Sequence, residues 1–433
     1  MTEGTAASPP ALAGVLYRTA PAARMALVGA TLIDGTGAPP MRDAAVLVSG
    51  RRIERVVSAR DVSQVPPAYE RIDVEGRYLM PSLIDCHVHL TGDVTNDPSK
   101  RYLEGFPAVR AIRAVVHAQR VLAAGFTTVR HLGHGRPAHA EAAKRAIRDG
   151  AALGPRILTS GWAISQTGGH GDLRSWPYEL VAEQRPRSAF ADGARACREL
   201  VRENVASGAE WIKIYGSEGL IYTPDRLSEI PNFTESELAA FVDEAHRLGA
   251  RVSAHTTGTE ATRRVVRAGV DTVEHGPYES APDVVDLMVR HGTVLVPTLS
   301  IYEWTAREGH RAGYAPWVLE RSARRLEGRR SFVRDAVGAG VTIALGTDSG
   351  GPPRGGANAA ELTALVAAGL RPMDALVAGT SGSARALGIA DIGSVLAGSF
   401  ADLLILSSDP LADLASIGRP GGIERIVQSS WTA

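Results

Sequence analysis

Two histidines one residue apart, His87 and His89, close the stretch Met80 to Leu90, MPSLIDCHVHL. In an extended strand, residues i and i+2 share a face. Both imidazoles therefore project together from the end of a buried strand, and two imidazoles on one face make half of a divalent-metal site. Taken alone, the pair reads equally as two unrelated histidines of a surface or a core. Further along, Lys213 lies inside WIKIY, His255 ends RVSAH, His275 ends TVEH, and Asp348 follows the apolar TIALGT. Each of these residue types serves divalent metals, and each stands in or at the end of an apolar run.

Lys213 is costly if buried and charged, so its pKa should fall and its amine become nucleophilic. A neutral amine takes up carbon dioxide as a carbamate, an anionic carboxylate on a long stem that reaches two metal ions. The plain alternative is a salt-bridged lysine, or one extended toward solvent. Asp348, in GTDSGG, can bind one metal and accept a proton from a metal-bound water. As a turn cap ahead of Ser-Gly-Gly it would do neither.

Strand ends must place these groups. Ala26–Asp34, Ala44–Val48, Arg52–Val57 and Tyr69–Tyr78 read as strands, an all-β beginning that stops at Pro81. Strand then alternates with amphipathic helix. The strand candidates are Leu83–His87, Thr127–His131, Arg156–Ser160, Trp211–Tyr215, Arg251–His255, Thr272–His275, Thr293–Thr298 and Thr342–Thr347. Helical patterns over Ala108–Ala124, Glu235–Leu248, Thr259–Ala268 and Glu320–Ala339 separate several of them, and glycine closes most of these. Eight such units predict an α/β fold, a (β/α)8 TIM barrel, whose catalytic residues sit at the C-terminal strand ends. An open doubly wound sheet is the runner-up, although no glycine-rich dinucleotide fingerprint follows the first strand. Past Ala386, the segments Gly393–Val395, Ala401–Ser407 and Ile423–Val427 return to strand. The expected division is a flexible arm at 1–25, a small β-sandwich domain from 26–80 and 388–433, and the barrel at 81–387.

The 433 residues are 44% hydrophobic and carry 47 basic and 47 acidic side chains. Balanced charge gives no electrostatic case for a nucleic-acid partner or an anionic membrane surface. Two cysteines are too few for a disulfide framework, and no apolar run approaches a bilayer span. The expectation is a cytoplasmic protein whose partner is a small-molecule substrate, with the first residues a loose arm and not a signal peptide.

With these residues in hand, the sequence resembles the amidohydrolase superfamily. The resemblance is carried by MPSLIDCHVHL, TTVRHLG, TGGHG (Thr167 to Gly171), WIKIY, SAHTTG, VEHG, LGTD and the tail FADLLILSSDPLADL, and runs from about Ala26 to Ile417. It is strongest toward the branch of imidazolonepropionase-like proteins, metal-dependent prolidases and ochratoxin-type amidases. The resemblance implies two divalent metal ions, zinc by preference, and a homo-oligomer. One metal would be held by His87, His89 and Asp348 and the other by His255 and His275, bridged by N-carboxylated Lys213 and a hydroxide. It further implies that His170 donates to the substrate; Tyr215, His131 and Arg354 are further substrate-side candidates. His131 and His134 stand where the branch commonly has Asp and Gly, and Arg354 where it has a His ahead of Gly. A guanidinium suits bidentate recognition of a carboxylate. The expected reaction is hydrolysis of an amide-type C–N bond in an N-acyl amino acid, dipeptide or similar acid. A cyclic amide or carbamate hydrolase, a mononuclear deaminase, a lyase or decarboxylase, and a non-catalytic barrel are the alternatives.

Overall fold

The computed structural model describes residues 15–19, 24–58, 65–92, 107–133, 135–172, 189–218, 230–350 and 356–429. Strands from both ends of the chain make one eight-stranded sheet. Its path runs Leu16–Thr19, Ile423–Ser429, Leu403–Leu406, Tyr78–Pro81, Arg24–Leu32, Met41–Ser49, Arg52–Val57, with Glu70–Asp73 beside Arg24–Leu32. The expected Tyr69–Tyr78 strand is thus two strands, and no strand forms at Gly393–Val395. Alternation explains the unbroken apolar run AAVLV: Ala44, Val46 and Val48 enter one core, while Ala45 and Leu47 enter a second.

The sheet curls onto itself. Ile53 N donates to Ser399 O and Ala401 N to Arg51 O, so the far edge returns to the residues ahead of Leu403–Leu406. The curled sheet encloses a core of its own, with Leu27, Val46, Leu79 and Leu403 inside. Part of the stretch expected as a loose arm is also strand: Leu16–Thr19 pairs in parallel with Ile426–Ser429. Its partner lies so far along the chain that no local pattern announces the pairing.

The middle of the chain supplies parallel strands and outer helices. Leu83–Val88, Phe126–His131 and Arg156–Thr159 form a three-stranded sheet. Ala189–Phe190, Ala163–Ser165, Trp211–Tyr215, Arg251–Thr256, Thr272–His275 and Val294–Val296 form a six-stranded one. These ladders do not close into one barrel, and the two breaks have local causes. At the third unit, Gly161 takes a φ of +65° and the Asn204 side chain bonds both the N–H and C=O of Trp162. A Cβ at Gly161 would stand 2.6 Å from Asn204 Oδ1, so the wedge needs glycine. At the eighth unit, the expected strand Thr342–Thr347 is reduced to isolated parallel bridges, Ile343 with Leu295 and, just beyond it, Ser349 with Val88. Cys86 N reaches Leu345 O, Asp348 N reaches His87 O, and Ala344 N reaches Leu295 O. It still lies between the first and seventh strands; one apolar core packs both sheets against their helices, and a second, with Ile84, Cys86, Trp211, Val296 and Ala344, lies on the other strand face.

Candidate metal centre

Asp85 fixes the mouth end of the first strand. Its buried carboxylate accepts from His87 N, Thr347 N, Thr347 Oγ1 and Asn358 Nδ2. Burial pushes its pKa up to about 6, against the pull of those donors. The first and eighth segments are thereby locked so that His87, His89 and Asp348 meet, their ligand atoms all within 4.8 Å of one another.

The outer ring nitrogens decide what this cluster can be. His87 Nδ1–H donates to Glu274 Oε2 at 2.7 Å, and His89 Nδ1–H to Gly133 O at 3.2 Å. Both Nε2 lone pairs therefore face Asp348 Oδ1, at 3.4 and 3.0 Å. Three electron-rich atoms so placed repel unless a cation lies between them. A proton is a poor candidate, because burial, aided by Lys213, lowers the His87 pKa to about 4. Asp348 stays ionised: burial pushes its pKa up, but His87 and His89 together carry it well below the carboxylate range. The donor set therefore fits a divalent metal.

The remaining residues continue the cluster as a file of rings. His87 and His275 centroids are 5.1 Å apart, His275 and His255 4.5 Å, His255 and His170 4.5 Å, and His170 and Tyr215 4.4 Å. Burial holds His255 and His275 well below the usual histidine pKa, so both rings are neutral. His275 Nδ1 bonds Thr298 Oγ1 at 2.6 Å. His275 and Asp348 carry φ of +70° and +51°, a backbone strain of about 1–3 kcal/mol each that clusters at working sites. Lys213 Nζ lies 6.0 Å from the Tyr215 ring centroid, buried and, among the described residues, without a hydrogen-bond partner, as is His255 Nε2. Burial lowers the Lys213 pKa to about 8, the direction its apolar strand predicts.

The structure thus brings together His87, His89, Asp348, His275, His255, His170, Tyr215 and Lys213. His131 stands one ring further off, 6.3 Å from His89, and its Nδ1 accepts the Leu90 N–H. Arg354 and His134 lie outside the described residues. Two contributors escaped the sequence. Glu274 is fully buried and accepts from His87, Arg130, Ser253 and Thr272, and Arg130 anchors it from the second strand. The signal was present in TTVRH and TVEH: a charge inside an apolar strand, the same sign that singled out Lys213.

Comparison with known proteins agrees with this geometry. The chain is 32% identical over 421 residues to ochratoxinase of Aspergillus niger, across 91% of this chain and 83% of that one. It is 29% identical to imidazolonepropionase of Cereibacter sphaeroides, across 89% and 93%. The fold superposes with a TM-score of 0.84 on a prolidase complexed with N-methylphosphonate-L-proline, at 30% identity and covering 94% and 98% of the two chains. Among the described residues no helix is long and apolar enough to cross a membrane. The model of the amidohydrolase family matches residues 78–429, and the chain belongs to that family.

Proposed function

We propose that this amidohydrolase cleaves an amide-type C–N bond in a small carboxylate-bearing molecule, an N-acyl amino acid or a dipeptide. The observation that carries this is the convergence of the His87 and His89 lone pairs on Asp348, with the unpartnered Lys213 amine and His255 Nε2 beside them. His87, His89 and Asp348 would hold one metal, zinc by its donor chemistry, and His255 and His275 a second, with N-carboxylated Lys213 between them. Metals so held supply a water of lowered pKa and polarise a carbonyl.

The side chains supply the rest. Asp348, kept ionised, takes the proton of the attacking water at its carboxylate and returns it to the leaving nitrogen. His170, packed on His255, donates to the developing oxyanion. Tyr215 walls the substrate side behind His170. His131, with Nδ1 committed to Leu90, carries its proton on Nε2 and presents a donor. That a similar structure holds N-methylphosphonate-L-proline, an amino acid with a free carboxylate, supports the substrate class. The segments at 81–387 would work as the barrel-type catalytic unit, with 26–80 and 388–433 as its β companion.

Elemental analysis with a substrate panel tests the proposal. Close to two metals per chain, and hydrolysis of N-acyl amino acids or dipeptides in preference to lactams and aryl carbamates, are expected. Full activity with one metal per chain points to a mononuclear deaminase.

A further inference from the structure

The helix Pro316–Gly338 runs beside the segment that leaves His275. Its arginines at 321, 325 and 329 are four residues apart and share one face. The Arg325 guanidinium lies 3.9 Å from the Tyr278 ring centroid, and that of Arg329 lies 3.9 Å from Tyr302. Gly328 permits this approach, since a Cβ there would stand 1.7 Å from Tyr278 O. Arg329 consequently reaches Gly276 O, one residue beyond His275, with Nη1 at 2.9 Å.

Only that nitrogen is engaged. Arg329 is 1% exposed, and its Nε and Nη2 have no hydrogen-bond partner among the described residues. No described carboxylate lies within ion-pair distance of it, and burial lowers its pKa. A buried guanidinium with more than half of its donors idle signals a missing partner. The idle pair is informative: Nε–H and Nη2–H form one edge of the fork, the edge that grips a carboxylate with two parallel bonds. The place is informative too, because Tyr302, under the guanidinium, has its ring 6.2 Å from that of His275.

We propose that Arg329 anchors an anion subsite beside the His-rich centre that takes the carboxylate of the substrate. This rests on the hydrolase function proposed above only for the identity of the ligand as substrate. The metal-loaded full chain is titrated calorimetrically with N-methylsulfonyl-L-phenylalanine and with its N-methylamide, probes whose sulfonamide resists hydrolysis. The expected result is about tenfold to a hundredfold tighter binding of the acid. Arg329→Gln keeps a donor for Gly276 O and should lose that preference, and Arg329→Lys, charged but without the fork, should keep part of it. Equal affinity of the wild type for acid and amide, failure of the acid to bind at millimolar concentration, or a preference surviving in Arg329→Gln overturns the proposal. Where Arg329→Gln does not fold, Arg329→Lys carries the test, and an acid preference undiminished in it also overturns the proposal. Acid preference without hydrolysis of any panel member would sink the proposed reaction and leave the subsite standing.

Discussion

The two sides of the His-rich centre are built on opposite plans. On the side of His87 and His89 the outer ring nitrogens are committed, to Glu274 and to Gly133 O, and Asp85 ties the supporting segments together. On the other side, Lys213 Nζ and His255 Nε2 are buried with nothing to bond among the described residues. An engaged network rigidifies, whereas a buried idle polar group costs on the order of 1–3 kcal/mol, more if charged. The protein thus shapes one side itself and leaves the other to be completed by what binds there.

Removing the group that awaits completion should have the largest effect. Lys213→Ala is expected to reduce kcat to background, with partial recovery on adding acetate or propionate, which supply a carboxylate in place of the carbamate. Near-normal turnover would show that the idle side needs no bridge, and the contrast would collapse. On the committed side, Glu274→Gln should weaken metal binding about 10–100-fold, measured by competition with a chelator. Unchanged affinity would mean that Glu274 does not hold His87 for its ligand.

A smaller effect concerns His275, the one anchored imidazole of the less finished side. Its partner Thr298 opens a helix whose first N–H groups, of Leu299 and Ser300, bond the fully buried Glu361. Burial raises the Glu361 pKa from 4.5 to about 7 despite those donors. The folded protein therefore holds this proton more tightly than the unfolded chain does. The associated stability is complete below pH 4.5 and lost as pH rises through 7, at most about 3 kcal/mol. Urea unfolding at pH 4.5 and 7.5 should show wild type losing more stability across that interval than Glu361→Gln. Parallel losses would reject the assignment. The mildest effect is kinetic: carbamate formation needs neutral Lys213, whose pKa lies at about 8. At fixed dissolved carbon dioxide, activation during metal loading should speed up roughly tenfold from pH 7 to 9. A flat profile would separate Lys213 from the chemistry.

Much of this was legible because buried strands and capped helices write themselves locally. Thr259–Ala268 and Trp211–Tyr215 fall where their patterns put them. The ligand-type residues were legible because each stands at or inside an apolar run, where a polar side chain needs a reason. Thr342–Thr347 misled, since its apolar run is right for a strand but the segment meets its neighbours only at isolated bridges. Gly346 packs there against His87 and Val296, where a Cβ would stand 2.3 Å from Val296 Cγ1. Arg130 and Glu274 were passed over because each charge was weighed alone, and only the fold reveals that they neutralise each other. Arg329 lies on a helix rich in arginine, so its isolation is a property of packing and not of pattern.

The curled sheet has a consequence for how the chain is made. Tyr78–Pro81 pairs with Leu403–Leu406, and Leu16–Thr19 with the last described strand. At a synthesis rate of about 5–20 residues per second, the roughly 320 residues between the first partners occupy about 16–64 s, and the roughly 400 between the second about 20–80 s. Through the first interval Tyr78–Pro81 waits with an unpaired edge beside Arg24–Leu32, and the sheet keeps an open apolar face, the condition that invites strand-to-strand aggregation. The catalytic segments emerge meanwhile and can pack among themselves. A nascent chain would therefore carry a nearly assembled metal centre for some time before its β companion is sealed, and that companion is where chaperone dependence should concentrate.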